Sequence, residues 1–256
     1  MSQTTKELKL AVLIDADNVP YSNVKGMMEE IAKFGTPTTK RIYADWTKPN
    51  SGGWKSVLLE HAITPIQQYS YTVGKNSSDS AMIIDAMDLL YSDKVDGFCI
   101  VSSDSDFTRL AIRLRESGMK VIGIGEKKTP NSFIVACDRF IYIEVLEGAI
   151  NKKTPKLNTA NDSKKPIEKE ITTKIDIQTV ELIEATIEAI GDDDGWAFLG
   201  DVGNLIVKKK PEFDPRNYGF AKLTPMLKSL TDILEIDERD SDKKGIKHVF
   251  VRLKFS

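Results

Sequence analysis

Five aspartates, Asp15, Asp17, Asp79, Asp104 and Asp106, are the residues whose type and spacing could do chemistry. Asp15 and Asp17 come directly behind the apolar run Leu10-Ala11-Val12-Leu13-Ile14, and Asn18 is next. Asp104 and Asp106 lie in Ser102-Ser103-Asp104-Ser105-Asp106-Phe107, immediately behind Gly97-Phe98-Cys99-Ile100-Val101. Asp79 opens an amphipathic stretch after Lys75-Asn76-Ser77-Ser78. Carboxylates gathered where strands end repel one another unless a cation joins them. Such a cluster points to a divalent metal, and a metal held by carboxylates points to chemistry at phosphate esters.

Taken singly, these aspartates have a plainer explanation. One Asp behind a strand commonly caps a turn or helix, which suits Asp17 with Asn18 ahead of Pro20, and Asp79. Two aspartates one residue apart, at 104 and 106, exceed what a cap needs. As ligands, Asp15, Asp79 and Asp104 would hold one or two Mg²⁺ or Mn²⁺ ions. Asp106 would be a further ligand or position the water, and Asn18 would hydrogen-bond a phosphate oxygen or orient Asp15. Lys75, Lys127 and Lys128 fall in loops that could flank the crevice and meet a polyanionic backbone; each alone also reads as a solvated lysine. Asp85, inside Ile83-Ile84-Asp85-Ala86-Met87, reads equally as an inward carboxylate or a solvated one.

The elements that must position these groups alternate in type. Strands are expected at Leu8–Ile14, Thr36–Ala44, Ile63–Gln68, Gly97–Val101 and Lys120–Gly125. Helical spacing covers Val24–Phe34, Gly53–Ala62, Asp79–Tyr91 and Phe107–Glu116. That alternation predicts an α/β fold with a parallel, doubly wound sheet, whose ligand crevice lies at the carboxyl ends of the strands. From Gly148 to Thr173 the chain turns Lys/Asn/Thr/Ser/Pro-rich and reads as a flexible linker. Behind it, helices at Gln178–Ile190, Leu199–Lys208 and Phe220–Ser229 precede β-like runs at Ile233–Asp237 and His248–Leu253. Three short helices and a hairpin predict a small winged helix-turn-helix domain. The boundaries are therefore 1–147, 148–173 and 174–256.

Bulk properties narrow the function classes. The net charge is −2 over 256 residues, divided as −2 before residue 149, +3 across 149–173 and −3 thereafter. Neither domain is basic overall, so any nucleic-acid contact must use local patches. No apolar run approaches the ~20 residues of a membrane span, and the polar start, Met1 to Lys9, lacks the apolar core of a signal peptide. Two cysteines make no framework; Cys99 is expected in a core strand and Cys137 on a helix, both as buried thiols of a reducing, cytoplasmic compartment. Two histidines do not make a histidine-based zinc site.

Residues 8–146 resemble the NYN domain, a branch of the PIN-like nucleases. The resemblance is carried by Ile14-Asp15-Ala16-Asp17-Asn18, by Lys75-Asn76-Ser77-Ser78-Asp79 with Asp85 behind it, and by Val101-Ser102-Ser103-Asp104-Ser105-Asp106-Phe107. Ser132 to Asp138-Arg139-Phe140 fits the family's closing pattern, and Ser103 stands where the family often has glycine. The resemblance implies a Rossmann-like sheet of the PIN-like type and metal-dependent RNA cleavage. Asp15, Asp79, Asp104 and Asp106 then take the metal-binding and catalytic positions, and Asn18 the substrate-contacting one.

Residues 177–254 resemble the LOTUS domain, also called OST-HTH, through Gly195-Trp196-Ala197, Leu199-Gly200-Asp201-Val202-Gly203, Pro211-Glu212-Phe213-Asp214 and Tyr218-Gly219-Phe220-Ala221-Lys222-Leu223. This implies RNA binding or a protein partner. Lys208, Lys209, Lys210, Lys222 and Lys228, with Lys243, Lys244 and Lys247, could form a basic face. Tyr218 or Phe220 could stack on bases, although both also read as core residues. The expectation is a Mg²⁺/Mn²⁺-dependent ribonuclease with a LOTUS domain for RNA or partner selection. Two rivals stand beside it. One is a non-catalytic RNA-binding adaptor. The other is a haloacid-dehalogenase-like phosphatase, whose first motif Asp15-Ala16-Asp17-Asn18-Val19 resembles but which Ser-Asp-Ser-Asp-Phe fits poorly.

Overall fold

Strand Lys9–Asp15 (β1) is buried on both faces from Leu10 onward, and this makes it the centre of the first sheet. The computed structural model describes residues 7–47, 53–69, 77–150, 175–240 and 247–254. Thr36–Ala44 (β2), Thr64–Gln67 (β3), Gly97–Val101 (β4), Lys120–Gly125 (β5) and Arg139–Tyr142 (β6) join β1 in the order β3-β2-β1-β4-β5-β6, every pair parallel. The chain leaves β1 toward β2 on one side and returns to β4 on the other, so the topological switch point lies between β1 and β4.

Side-chain alternation divides the core in two. Ala11, Leu13, Phe98 and Ile100 face one layer, which is covered by Ser77–Tyr91 (α3), Thr108–Glu116 (α4) and Asn131–Ala136 (α5). Leu10, Val12, Ile14, Cys99 and Val101 face the other, covered by Val24–Ile31 (α1), Trp54–His61 (α2) and Ile143–Ile150 (α6). Each such large apolar side chain contributes about 1.5–3 kcal/mol on burial. The period of two also sets the direction of the residues at the strand ends: Asp15 continues the row of Ala11 and Leu13, and Ser102 the row of Phe98 and Ile100, so both emerge on the α3/α4 side.

Several boundaries differ from expectation for visible reasons. α1 stops at Ile31 because Ala32 to Phe34 close in turns, with Phe34 N–H bonded to the Ile31 carbonyl at 2.9 Å. Cys137 is not on a helix; it comes after α5 in extended conformation (φ −92°, ψ 156°) and is nonetheless buried, as is Cys99. Strand β6 and helices α5 and α6 close the domain beyond the last expected unit, and α6 carries the first residues of the expected linker. Residues 151–173 of that linker lie outside the described residues, as do Lys75, Lys243 and Lys244.

The chain divides into two compact units, residues 1–155 and 156–256. In the second, Ile177–Ile190 (α7) is capped by Asp176, whose Oδ1 accepts the Thr179 N–H at 2.8 Å. Ala197–Phe198 (β7), Leu199–Lys209 (α8), Leu223–Lys228 (α9), Leu234–Asp240 (β8) and Lys247–Leu253 (β9) come next, the strands forming an antiparallel sheet ordered β7-β9-β8. The third helix is shorter than expected. Gly219 takes a left-handed φ of 84° and Lys222 is extended, so winding begins only at Leu223. Ile183, Ile187, Val202, Ile206, Phe213, Met226 and Val251 make the core of this winged-helix unit. No helix among the described residues is long and apolar enough to cross a membrane.

Candidate active site

Strands β1 and β4 both end in the same local device. At β1, Asp15 Oδ1 accepts the Asp17 N–H at 3.1 Å and caps a 3₁₀ turn over Ala16–Asn18. At β4, Asp104 Oδ1 accepts the Asp106 N–H at 2.9 Å and caps Ser105–Phe107. The capping and ligand readings are therefore compatible, since each turn uses one carboxylate oxygen and aims the residue over the strand end.

Ser102 ties the two turns together across the switch point. Its hydroxyl donates to Asp15 Oδ2 at 3.0 Å and accepts the Asp104 N–H at 3.1 Å. Asn18 Nδ2 donates to the same Asp15 oxygen at 2.5 Å. Asp15, only 2% exposed, is thus satisfied at both oxygens, and burial still pushes its pKa up against these hydrogen bonds.

Asp79 arrives from the third segment. It lies in the first turn of α3, on the stripe continued by Met82 and Ala86 that packs onto the sheet. One carboxylate oxygen from each of Asp79, Asp104 and Asp106 lies within 4.8 Å of the others. Asp79 is buried, Asp104 half-buried and Asp106 exposed, so the trio runs from the floor of the crevice to its lip. Burial first, then the charges of Asp15, Asp104, Asp106 and Asp17, raise the Asp79 pKa to about 6. Without a cation, these carboxylates destabilise one another. Asp15 is not in this close group, yet among the charges that raise the Asp79 pKa its own comes first, so it borders the same crevice.

Two features anchor the frame. Asp85 fastens α3 to β2: its Oδ2 accepts Arg41 Nη1 and the Tyr43 hydroxyl, each at 2.8 Å. Ser103 Oγ accepts the Glu126 N–H at 2.9 Å, linking the 102–106 loop to the loop after β5. That second loop carries Lys127, which is exposed, and Lys128, which pairs with Glu126 at 2.5 Å. The positioning roles of Ser102 and Ser103 are not evident from sequence; the available signal is a pair of hydroxyls directly at the end of an apolar strand. A cavity of about 980 Å³ lies at the β3 edge, between Trp46, Leu58, Ala62, Ile63 and Pro65. It has no carboxylate in its walls, so chemistry rather than size locates the site.

In the winged-helix unit, Lys208, Lys209 and Lys222 are all exposed, and Lys209 Nζ reaches Thr186 Oγ1 at 3.3 Å. Tyr218 is half-buried. Its hydroxyl lies 2.9 Å from Thr179 Oγ1, and its ring, like that of Phe220, packs against the core.

Comparison with known proteins agrees with this architecture. The family model of the NYN domain matches residues 9–144, and that of the OST-HTH/LOTUS domain matches residues 170–246. No curated protein matches the chain. Among solved structures, a protein of unknown function from Vibrio parahaemolyticus RIMD 2210633 is similar at 21% identity and a TM-score of 0.48, covering 55% of this chain and 96% of its own. An uncharacterized protein from Nitrosomonas europaea is similar at 32% identity and a TM-score of 0.31, covering 39% of this chain and 94% of its own.

Proposed function

The chain belongs to the NYN domain family and carries an OST-HTH/LOTUS domain behind it, and on that footing we propose that it is a Mg²⁺- or Mn²⁺-dependent ribonuclease. The observation that carries the reading is the close group of Asp79, Asp104 and Asp106 at the switch point of the sheet. An all-carboxylate donor set suits a hard divalent cation such as Mg²⁺ or Mn²⁺. Asp79, Asp104 and Asp106 would hold one or two such ions, which when bound supply positive charge to the phosphate oxygens and an acidified water.

The chain's own residues supply the geometry. Ser102 and Asn18 fix the Asp15 carboxylate, which holds negative potential behind the trio and keeps the cation site selective for charge. Asp106, at the exposed lip, orients the attacking water and accepts its hydrogen bond. Lys127 gives the RNA backbone a cation beside the crevice, on a loop kept in place by Ser103. Lys128 can do the same once released from Glu126. The LOTUS domain selects RNA or a protein partner. Buried, unpaired Cys99 and Cys137 support a reducing, cytoplasmic setting.

A second reading, a non-catalytic RNA-binding adaptor, draws on one observation: both Asp15 oxygens already have protein donors. End-labelled RNA of mixed structure, incubated with Mn²⁺, Mg²⁺ or EDTA, separates the two. Metal-dependent cleavage by the wild type and its loss, by at least a hundredfold, in a folded Asp104→Asn variant are expected. RNA binding without cleavage would move the function to the adaptor.

A further inference from the structure

The outer face of the wing sheet carries an aromatic and guanidinium surface that the sequence did not advertise. Alternation along β8 and β9 sends Leu234, Ile236 and Val251 inward and Arg239, His248, Phe250 and Arg252 outward, with Phe198 of β7 paired beside Phe250. Arg239 stacks over the Phe250 ring at 4.2 Å and over Trp196 at 5.3 Å, and Arg252 lies over Trp196 at 4.6 Å. The Phe198 ring meets Phe250 at 5.8 Å and His248 at 5.6 Å, yet 38% of Phe198 is still open to solvent. Phe198 also forms one wall of a cavity of about 370 Å³ whose other walls are Ile190 of α7 and Asp201, Asn204, Leu205 and Lys208 of α8.

We propose that this face, from Trp196 across Phe250 and Phe198 into the Asn204/Lys208 cavity, is a binding platform for single-stranded RNA. This rests on the reading of the protein as one that acts on RNA. Unpaired bases stack on aromatic rings and on guanidinium planes, whereas duplexes keep their faces covered. The platform offers both kinds of plane side by side, with one cavity of about 370 Å³ beside them. There Asn204 presents a donor and an acceptor to a base edge, and Lys208 a cation to the phosphate.

The occupant is identified by charge and geometry together. Asp237 pairs with Arg239 at 2.8 Å and Glu235 with Arg252 at 2.7 Å, so both guanidinium groups lie over the rings with a carboxylate partner already in place. A guanidinium has five donors, and one carboxylate does not exhaust them, so each arginine keeps donors for a phosphate. A platform so balanced in charge reads stacking more than it attracts polyanion. Its affinity should therefore depend weakly on salt, with about two phosphates neutralised and a log–log slope near −1.4, at ~0.7 per phosphate for single strands.

The test uses the full chain in EDTA with a fluorescein-labelled single-stranded RNA of twelve nucleotides and the matching duplex, read by anisotropy. Phe198→Leu and Phe250→Leu keep the sheet apolar, and melting curves verify that they fold. Each should weaken single-strand binding roughly tenfold, and Arg252→Gln should lower the salt slope by about 0.7. Lys94→Gln, at an exposed position of the first domain, should leave the affinity within about twofold. If the platform variants bind as the wild type does while Lys209→Gln binds poorly, the proposal is wrong and the helix end is the site. If instead they leave RNA binding intact and convert a dimer to monomer in sedimentation, the face belongs to a second copy and the proposal is equally wrong. Cleavage with Mn²⁺ is scored separately. A wild type that binds through this face yet never cuts removes the ribonuclease reading alone, whereas a wild type that cuts with platform variants binding normally removes this inference alone.

Discussion

Replacing Asp79 by asparagine should make the metal-free protein more stable while abolishing its activity. Asp79 is a carboxyl whose folded pKa, about 6, lies above its ordinary value of 3.8. Its neutral form is therefore favoured by folding: the stabilisation is complete below the unfolded pKa and disappears as pH rises through 6. At pH 8 the wild type carries the full penalty of the charged form, and an uncharged isostere does not. Two pKa units correspond to about 3 kcal/mol at ~1.36 kcal/mol each. Against this stands the loss of a carboxylate in the first turn of α3, about 0.3–1 kcal/mol through the helix dipole. The crevice is also open to water at its lip, which screens further, so the net gain is about 2 kcal/mol. For a domain of this size that is roughly 4–8 °C in melting temperature. Melting tracked by circular dichroism in EDTA at pH 8 and pH 4.5 measures it: the variant should melt higher at pH 8, and the gap should close at pH 4.5. With Mn²⁺ at ~100 times its Kd, the wild type should recover about 2.7 kcal/mol and the variant little, reversing the order. A variant that melts at or below the wild type in EDTA at pH 8 refutes the claim that repulsion among these carboxylates is what the cation relieves.

Ser102→Ala removes the strap between the two strand ends and leaves the Asp104 N–H without its partner. We expect a loss of about 2 kcal/mol in the urea midpoint and about a tenfold fall in metal-dependent cleavage. Asp85→Ala strips the partner from Arg41 and from the buried Tyr43 hydroxyl, costing about 2 kcal/mol after allowance for the partial exposure of the pair. Cleavage should fall with it as α3 loosens, a result checked by chemical denaturation beside the RNA assay. At Gly123 an added methyl group would lie 2.5 Å from the Phe140 ring and 2.8 Å from Cys137 Sγ. Gly123→Ala should therefore lower stability by about 1–3 kcal/mol in the same denaturation series.

The first sheet was largely legible because its two central strands, β1 and β4, are continuous apolar runs stopped abruptly by Asp or Ser. Thr36–Ala44, Gly97–Val101 and Lys120–Gly125 have the bounds their composition suggests. β6 is hidden because four residues, Arg139–Tyr142, close behind a six-residue helix offer no period to read. β7 is shorter still, and only its pairing with Val251 and Phe250 identifies it. The partner of Asp85 is hidden for another reason: an Asp within an apolar helix is equally consistent with water or with an ion pair, and Arg41 is 44 residues away. Likewise, outward-facing Phe198 and Phe250 become visible only once the inner face of the wing sheet is assigned, whereas the reading of Tyr218 and Phe220 as core residues agrees with their packing.

The serine strap across the switch point has a consequence for folding. The Ser102–Asp15 hydrogen bond joins residues 87 apart in sequence, through the central strand pair of the sheet. Contacts of such separation form late, because the entropy of closing the loop must be met before they return anything. The acidic crevice therefore does not exist in a nascent chain that has made β1, β2 and α3 but not yet β4. Nor can it loosen by a local fluctuation, since parting Asp15 from Asp104 means parting β1 from β4, the innermost pair of the sheet. Amide exchange in the core of β1 and β4 should thus report the same opening that disassembles the site: the acidic crevice is present only while the whole domain is.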